Sequence, residues 1–416
     1  MKNNILKIGI LLLISYSCQA QGDNQYPKIF NEIVTLFKTN YFDNKAKGHS
    51  FDSLVQNYKA KVEECNNEDE FISIVNSFLF TFDVSHIGFG KANDIKNKVS
   101  PYLWYEYMTE FDVRIINGEV YVTTVKDSHQ DDAQIKIGDR ITKINSKPIN
   151  EILSKFSLRP PNNQRNYNFL MTEELLRHIY GTDDSEVYLT THNSSNFINN
   201  ITVQRKERKN GTILFEGLPK VFLEISSQVY FDSIGYIKFN SFQPSRPTAI
   251  INKINEFKVL PSVIIDLRGN NGGSVEATRM IAAELLNNNE IYYNLVSSNE
   301  TSRINYFSSN NPYKGKLVVL VDELSISAAE IFSDILQFTK SAKIVGQQTP
   351  GNVLSGELFP LSNNYNLLLP IQDWIRDDGF RLEGNGVKPD YTIELREIDL
   401  QKSIDTQLEF AINLLK

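Results

Sequence analysis

The sequence predicts an α/β fold, and three observations predict it. Short apolar runs at Ile234 to Phe239, Val263 to Leu267, Leu317 to Val321 and Lys343 to Val345 have the length of buried strands, and amphipathic stretches at 274–287 and 327–338 lie between them. Apolar stripes at helical spacing fill residues 27–82 ahead of that region. An alternating, turn-rich segment at 100–205 separates the two. With 416 residues the chain has room for two or three domains. It divides into a leader (1–20), a helical domain (21–95), a β domain (96–210) and an α/β core (211–416).

The leader has Lys2 and Lys7 before the apolar run Ile8 to Ile14, then small and polar residues, the order of a secretory signal peptide. The run is too short to span a bilayer. Two processing outcomes are open. Cys18-Gln19-Ala20 can serve as a cleavage site that releases a soluble protein, or Ser17-Cys18 can end a bacterial lipobox with Cys18 lipidated, although Ser15 stands where such motifs usually carry Leu. Either outcome predicts export, to a periplasmic or extracellular space or to the outer membrane as a lipoprotein, with membrane contact only through that lipid. The one other cysteine, Cys65, lies among Glu63, Glu64 and Asn66, where a thiolate is disfavoured.

In the helical domain the stripes run through Ile29, Ile33 and Phe37, then Phe51, Leu54 and Tyr58, then Phe71, Ile74 and Phe78. The period breaks at Phe82 to Gly90, which reads as a loop leading into a strand. In the β domain, Asn117-Gly118 between alternating runs marks a hairpin. Ala133 to Asn145 with its Gly138-Asp139 turn resembles the matching strand-turn-strand unit of PDZ domains.

Composition excludes some functions. The net charge is −7. The one basic cluster, Arg205 to Lys209, lacks interleaved aromatics and reads as a solvated turn rather than a nucleic-acid patch. There is no H-E-x-x-H, paired cysteine or histidine cluster, so no metal or other cofactor is expected. Asp373, Asp377 and Asp378 read as a solvated loop, since the spacing of a calcium loop is absent.

Two strand ends draw attention as chemistry. Val318 to Val321 empties into Asp322-Glu323-Leu324-Ser325-Ile326-Ser327-Ala328-Ala329-Glu330. Ser327-x-x-Glu330 is a capping box on one reading. On another it is a nucleophile at a strand-to-helix turn, where backbone N–H groups can hold an oxyanion. Val263 to Leu267 empties into Arg268-Gly269-Asn270-Asn271-Gly272-Gly273, whose spacing is that of neither phosphate-binding glycine motif. Such glycines let backbone amides approach a reacting carbonyl.

Together these segments resemble the tail-specific, or C-terminal-processing, serine peptidase family. Asp266 to Gly273 is similar to its aspartate-leucine-arginine-glycine signature, and Ser327 matches its catalytic serine. The resemblance implies a crotonase/ClpP-like core, a polypeptide substrate, and an oxyanion hole formed by the N–H groups of Gly272 or Gly273 and Ala328. One departure matters. Many members carry a lysine base twenty-five residues after the serine, where this sequence has Asn352, which has no basic nitrogen. The tricorn-core branch instead uses a serine-histidine pair and a late glutamate, and Ser85-His86 and Glu383 match those. The resemblance thus implies Ser327 as nucleophile, His86 as base, and Ser85 and Glu383 as its support. The alternative is an inactive or ligand-binding protein on the same scaffold. In the β domain, Tyr102, Leu103, Trp104 and Tyr105 occupy the region of the family's carboxylate-binding loop, so gating of the site is expected rather than selective capture of C-termini.

Overall fold

The computed structural model describes residues 25–47, 49–91, 105–125, 135–154, 164–181, 183–209, 211–213, 220–287 and 290–416. The leader with Cys18, and Tyr102, Leu103 and Trp104, lie outside them. Among the described residues no helix is long and apolar enough to cross a membrane.

The three N-terminal stripes become helices Tyr26–Asn40, His49–Glu64 and Glu68–Leu79. Asn67 caps the third by accepting the Glu70 N–H, and Glu68, Asp69 and Glu70 fill its first turn, where the helix dipole favours negative charge. The helices pack through Phe30, Ile33, Phe37, Phe51, Phe71 and Phe78, with Leu354, Tyr365, Leu367 and Leu369 completing the cluster from far along the chain. Three of these late residues arrive on strand Tyr365–Arg376. Its first half pairs with Gly88–Lys91 and Ser355–Leu361, and its second half with Ile291–Val296. Trp374, on the second half, is buried in the main core. One strand therefore serves two cores, and it holds the segment carrying Ser85 and His86 against the α/β unit.

The main sheet runs in the order Ile225–Tyr230, Ile234–Phe239, Ser262–Asp266, Lys316–Val321, Lys343–Gly346, Tyr391–Thr392. Its first pair is antiparallel and the rest are parallel. Successive side chains of a strand point to opposite faces, and both faces here are covered. Val263, Ile265, Leu317, Val319 and Val321 pack under helices Val275–Ala283 and Ala328–Phe338. Ile264, Val318, Leu320 and Val345 pack on helix Thr406–Leu415. That is why the sequence shows continuous apolar runs rather than alternation.

Between these units stands an antiparallel sheet of Phe111–Ile116, Glu119–Val125, Arg140–Ile144, Glu186–His192 and Ile198–Gln204, backed by helices Ile149–Ser154 and Gln164–Ile179. Asn117 and Gly118 both have positive φ (53° and 81°), as the tight hairpin turn requires. A Cβ at Gly138 would lie 2.6 Å from Gln401 Cα, so this turn seats directly on the C-terminal segment. Tyr105 is buried within this domain.

Two readings of charge are corrected. Arg205 and Arg208 are not a solvated turn: Arg205 Nε donates to the Ile179 carbonyl (2.9 Å), and Arg208 bonds the Phe222 carbonyl (3.0 Å) and pairs with Glu224 (3.0 Å). Within the acidic group near Trp374, Asp373 departs from a solvated loop, whereas Asp377 and Asp378 are exposed in a turn. Asp373 is buried on strand Tyr365–Arg376 and pairs with Arg381 at 2.5 Å, while Asp377 pairs with Arg303 and Asp378 with Arg376. For both Arg205 and Asp373 the fold buries the charge beside partners that the local pattern does not mark, 26 residues away for Arg205 and 8 for Asp373. Among the described residues no cluster could hold a metal ion. Cys65 is buried, and burial, followed by Glu70, pushes its thiol pKa up.

Candidate active site

Ser327 stands one residue before helix Ala328–Phe338, at the end of the turn that leaves strand Lys316–Val321. Its backbone is in an unusual conformation for an L-residue, φ 57° and ψ −122°. Such geometry costs on the order of 1–3 kcal/mol and persists only under constraint. The constraint is visible: the Ser327 N–H is shared between the Asn352 carbonyl (2.9 Å) and Glu330 Oε2 (3.2 Å).

The glycine-rich turn packs on this residue. Gly272 has φ +77°, and a Cβ there would lie 2.6 Å from Ser327 Cβ and 2.7 Å from the Ala328 nitrogen. Only glycine allows that approach. The Asn270 side chain shapes the turn, donating to the Phe239 carbonyl (2.8 Å) and accepting the Gly272 N–H (2.9 Å). Gly272 is therefore already committed as a donor. The N–H groups of Gly273 and Ala328 have no acceptor among the described residues, which leaves them as the pair able to receive an oxyanion. Asp266 and Arg268, the charged members of the same motif, are structural. Burial works against the Asp266 carboxylate, yet Arg268 and Lys238 hold its pKa well below the usual range. Arg268 also reaches Asp405, at the start of helix Thr406–Leu415 (2.8 Å), and so fixes that helix to the sheet.

Ser85, His86 and Glu383 come together although 298 residues separate Ser85 from the glutamate. Glu383 Oε1 accepts the Ser85 N–H (2.8 Å), and Oε2 accepts the Ser85 hydroxyl (2.9 Å). Ser85 Oγ lies 2.9 Å from His86 Nδ1. A hydroxyl has one proton, and here it is given to Glu383. Ser85 Oγ then accepts from Nδ1–H, which leaves Nε2 of neutral His86 with a free lone pair. Burial holds the His86 pKa down to about 4, so the ring is neutral at pH 7. Glu383 is buried, which raises its pKa, while the bonds from Ser85 and Val353 oppose that rise.

The relay and the serine meet across one short segment. Glu383 Oε2 also accepts the Val353 N–H (2.8 Å), and the preceding residue's carbonyl holds the Ser327 N–H. No hydrogen bond joins Ser327 to His86 among the described residues. Asn352 itself donates from its side chain to Asn166 on helix Gln164–Ile179 (3.1 Å). Nothing local in the sequence marks Asn270 for its part in shaping the glycine-rich turn. Glu330 shows only a capping pattern.

Residues 233–393 match the model of peptidase family S41, and residues 23–80 match that of the tricorn protease C1 domain. The chain is 24% identical over 325 residues to a probable CtpA-like serine protease of Staphylococcus aureus (strain bovine RF122 / ET3-1), covering 73% of this chain and 59% of that one. A probable CtpA-like serine protease of Staphylococcus haemolyticus (strain JCSC1435) is 23% identical over 345 residues, covering 76% and 62%. The match thus spans about three fifths of the length of these curated relatives. Among solved structures, the photosystem II D1 C-terminal processing protease superposes with a TM-score of 0.58 at 18% identity, covering 94% of this chain and 97% of that one. Mature CPAF superposes with a TM-score of 0.63 at 13% identity, covering 94% and 96%. At these identities the superpositions speak to the fold. The chain thus carries a segment at residues 233–393 that matches peptidase family S41, following a segment at residues 23–80 that matches the tricorn protease C1 domain.

Proposed function

We propose that the chain is an exported serine endopeptidase that cuts unstructured or C-terminal segments of polypeptides, with Ser327 as nucleophile and His86 as general base. What carries this reading is the hydrogen-bonded series Glu383–Ser85–His86, tied through Val353 and Asn352 to the backbone of Ser327. Its geometry suits the chemistry. His86 Nε2 takes the Ser327 proton as Oγ attacks the peptide carbonyl, and the Gly273 and Ala328 N–H groups receive the resulting oxyanion. The intermediate collapses to an acyl-enzyme as the amine departs with the proton from His86. Water, deprotonated by the same nitrogen, then releases the acid and restores Ser327 Oγ–H. Ser85 and Glu383 keep the ring in the productive tautomer and stabilise the transient imidazolium. The β domain is read as PDZ-like and as a gate to the site, since helix Gln164–Ile179 reaches Asn352.

A fluorophosphonate probe tests this directly. The wild-type chain is expected to be labelled at Ser327, and His86→Ala and Ser85→Ala to lower peptide hydrolysis by about 10²–10⁴-fold and at least tenfold respectively. A chain that binds apolar ligands and leaves Ser327 unlabelled is a ligand-binding protein on this scaffold, and the peptidase reading fails.

A further inference from the structure

Glu330 lies three residues beyond Ser327 in the first turn of helix Ala328–Phe338, and none of it is exposed to solvent. A capping glutamate needs only to reach back to one N–H. This carboxylate takes four donors. Oε2 accepts the N–H groups of Ser327 (3.2 Å) and Asn352 (2.8 Å), and Oε1 accepts the Gly351 N–H (2.7 Å) and the Thr349 hydroxyl (2.5 Å). Three of the four come from the turn after strand Lys343–Gly346, a different part of the chain.

The far end of that turn belongs to the second buried carboxylate. Glu383 Oε2 accepts the N–H groups of Val353 (2.8 Å) and Leu354 (3.3 Å). Four consecutive amides, 351 to 354, are thus shared two and two between Glu330 and Glu383. The carbonyl between the pairs, that of Asn352, holds Ser327 at 2.9 Å. Burying two carboxylates this way is costly, and neither has an ion-pair partner among the described residues. Helix capping alone would not require it. The arrangement fixes the strained backbone of the nucleophile at one end of a four-residue segment and the support of His86 at the other.

We propose that Glu330 is a positioning residue for Ser327, clamping the Thr349–Asn352 turn to the nucleophile's backbone and so setting the register between Ser327 and the Glu383–Ser85–His86 group. This rests on the assignment of those residues above. The clamp needs an acceptor at every donor, so it needs the ionised carboxylate. Burial first, then Glu383 across the turn, raises the Glu330 pKa to about 7, against the bonds from Thr349, Gly351 and Asn352. His86, with its pKa near 4, would by itself leave the site competent well below that pH.

The test uses the full chain, a fluorophosphonate probe over pH 5–9, and amide exchange followed by mass spectrometry. Wild-type labelling is expected to rise through pH 7. Glu330→Gln, whose NH₂ faces donors and cannot accept, is expected to label at least tenfold more slowly at pH 8 without that rise, and to exchange faster at residues 351–354. Thr349→Val removes no charge but two bonds, the one to Glu330 and the one from the Val387 N–H, and it should slow labelling at least threefold if Glu330→Gln does not fold. Labelling within twofold of wild type across the pH range, with unchanged exchange, overturns the clamp. A wild-type chain that is never labelled at Ser327 sinks the peptidase reading, and the exchange measurement then decides the clamp alone.

Discussion

Arg114 Nε and Nη2 both reach Asp322 Oδ2, at 2.9 and 2.8 Å, with both side chains buried. Arg114 is on the first strand of the β domain, and Asp322 opens the turn that leads to Ser327. The other oxygen of Asp322 accepts the N–H groups of Gly269 and Leu324, each at 3.0 Å. Leu324 in turn is buried in the hydrophobic cluster of the β domain. One carboxylate therefore joins the β domain, the glycine-rich turn and the turn that leads to Ser327.

Removing one partner of a buried pair leaves an uncompensated charge, at a cost of about 3–5 kcal/mol. Arg114→Met is expected to lower urea stability by about that amount and to slow Ser327 labelling well below the unfolding transition. Arg114→Met combined with Asp322→Asn should recover at least half of the lost stability. If Arg114→Met unfolds at the wild-type urea concentration, the pair does not couple the domains.

Glu323, next in sequence, is buried with Oε2 unpaired. Burial, then Asp322, pushes its pKa up to about 7 from an ordinary 4.5, with Arg114 opposing. Between pH 4.5 and 7 the folded chain keeps a proton that the unfolded chain has released, so this residue's contribution to stability falls as pH rises through that window. Glu323→Gln should match wild type near pH 4.5 and exceed it by on the order of 1–3 kcal/mol at pH 8. His86 works in the opposite direction, because its folded pKa lies below the unfolded value, but it is common to both proteins and cancels. Equal stability of the two proteins at pH 8 would refute the assignment.

Two serines in the turn after strand Lys316–Val321 are separable by experiment. Ser325 Oγ donates to the Leu267 carbonyl (2.8 Å) and accepts the Asp322 N–H (2.9 Å), and its side chain is fully buried. Ser325→Ala should therefore cost about 1–3 kcal/mol of stability and leave the probe on Ser327. Ser327→Ala should abolish labelling while changing stability by about 0.5 kcal/mol or less. Labelling that survives Ser327→Ala and is lost in Ser325→Ala moves the nucleophile by two residues.

The core strands were legible because burial on both faces writes continuous apolar runs, and both motifs lie where such runs end. Ser85, His86 and Glu383 were legible only through resemblance, since nothing local in Asp83 to Gly88 points to a glutamate 298 residues away. Strand Tyr365–Arg376 escaped notice as a shared element because its two halves are buried by different partners. Glu330 was half legible: a capping box has the right spacing, but its three further donors come from a turn nineteen to twenty-two residues on. Arg205 and Asp373 were misread for one reason. A charged residue looks solvated until the fold buries it beside a partner that the linear pattern does not mark.

Asn352 stands where the peptidase family that the sequence resembles often carries a lysine base, and the obvious repair is Asn352→Lys. The surroundings argue that it will not work. The backbone of residues 352 and 353 is bonded to Glu330 and Glu383, and the Asn352 side chain is directed to Asn166. A lysine base must be neutral to take a proton from serine. Two carboxylates bonded to the same segment favour the ammonium form instead, and they would draw it into an ion pair. Adding Asn352→Lys to His86→Ala is therefore expected to leave kcat/KM within threefold of His86→Ala alone at pH 8. In the otherwise wild-type chain the same change should slow turnover, because the new charge competes for Glu330 and Glu383 and the bond to Asn166 is lost. A hundredfold recovery in the double variant would mean that the site retains the geometry of a serine–lysine pair, and that the two carboxylates do not govern the protonation of residue 352.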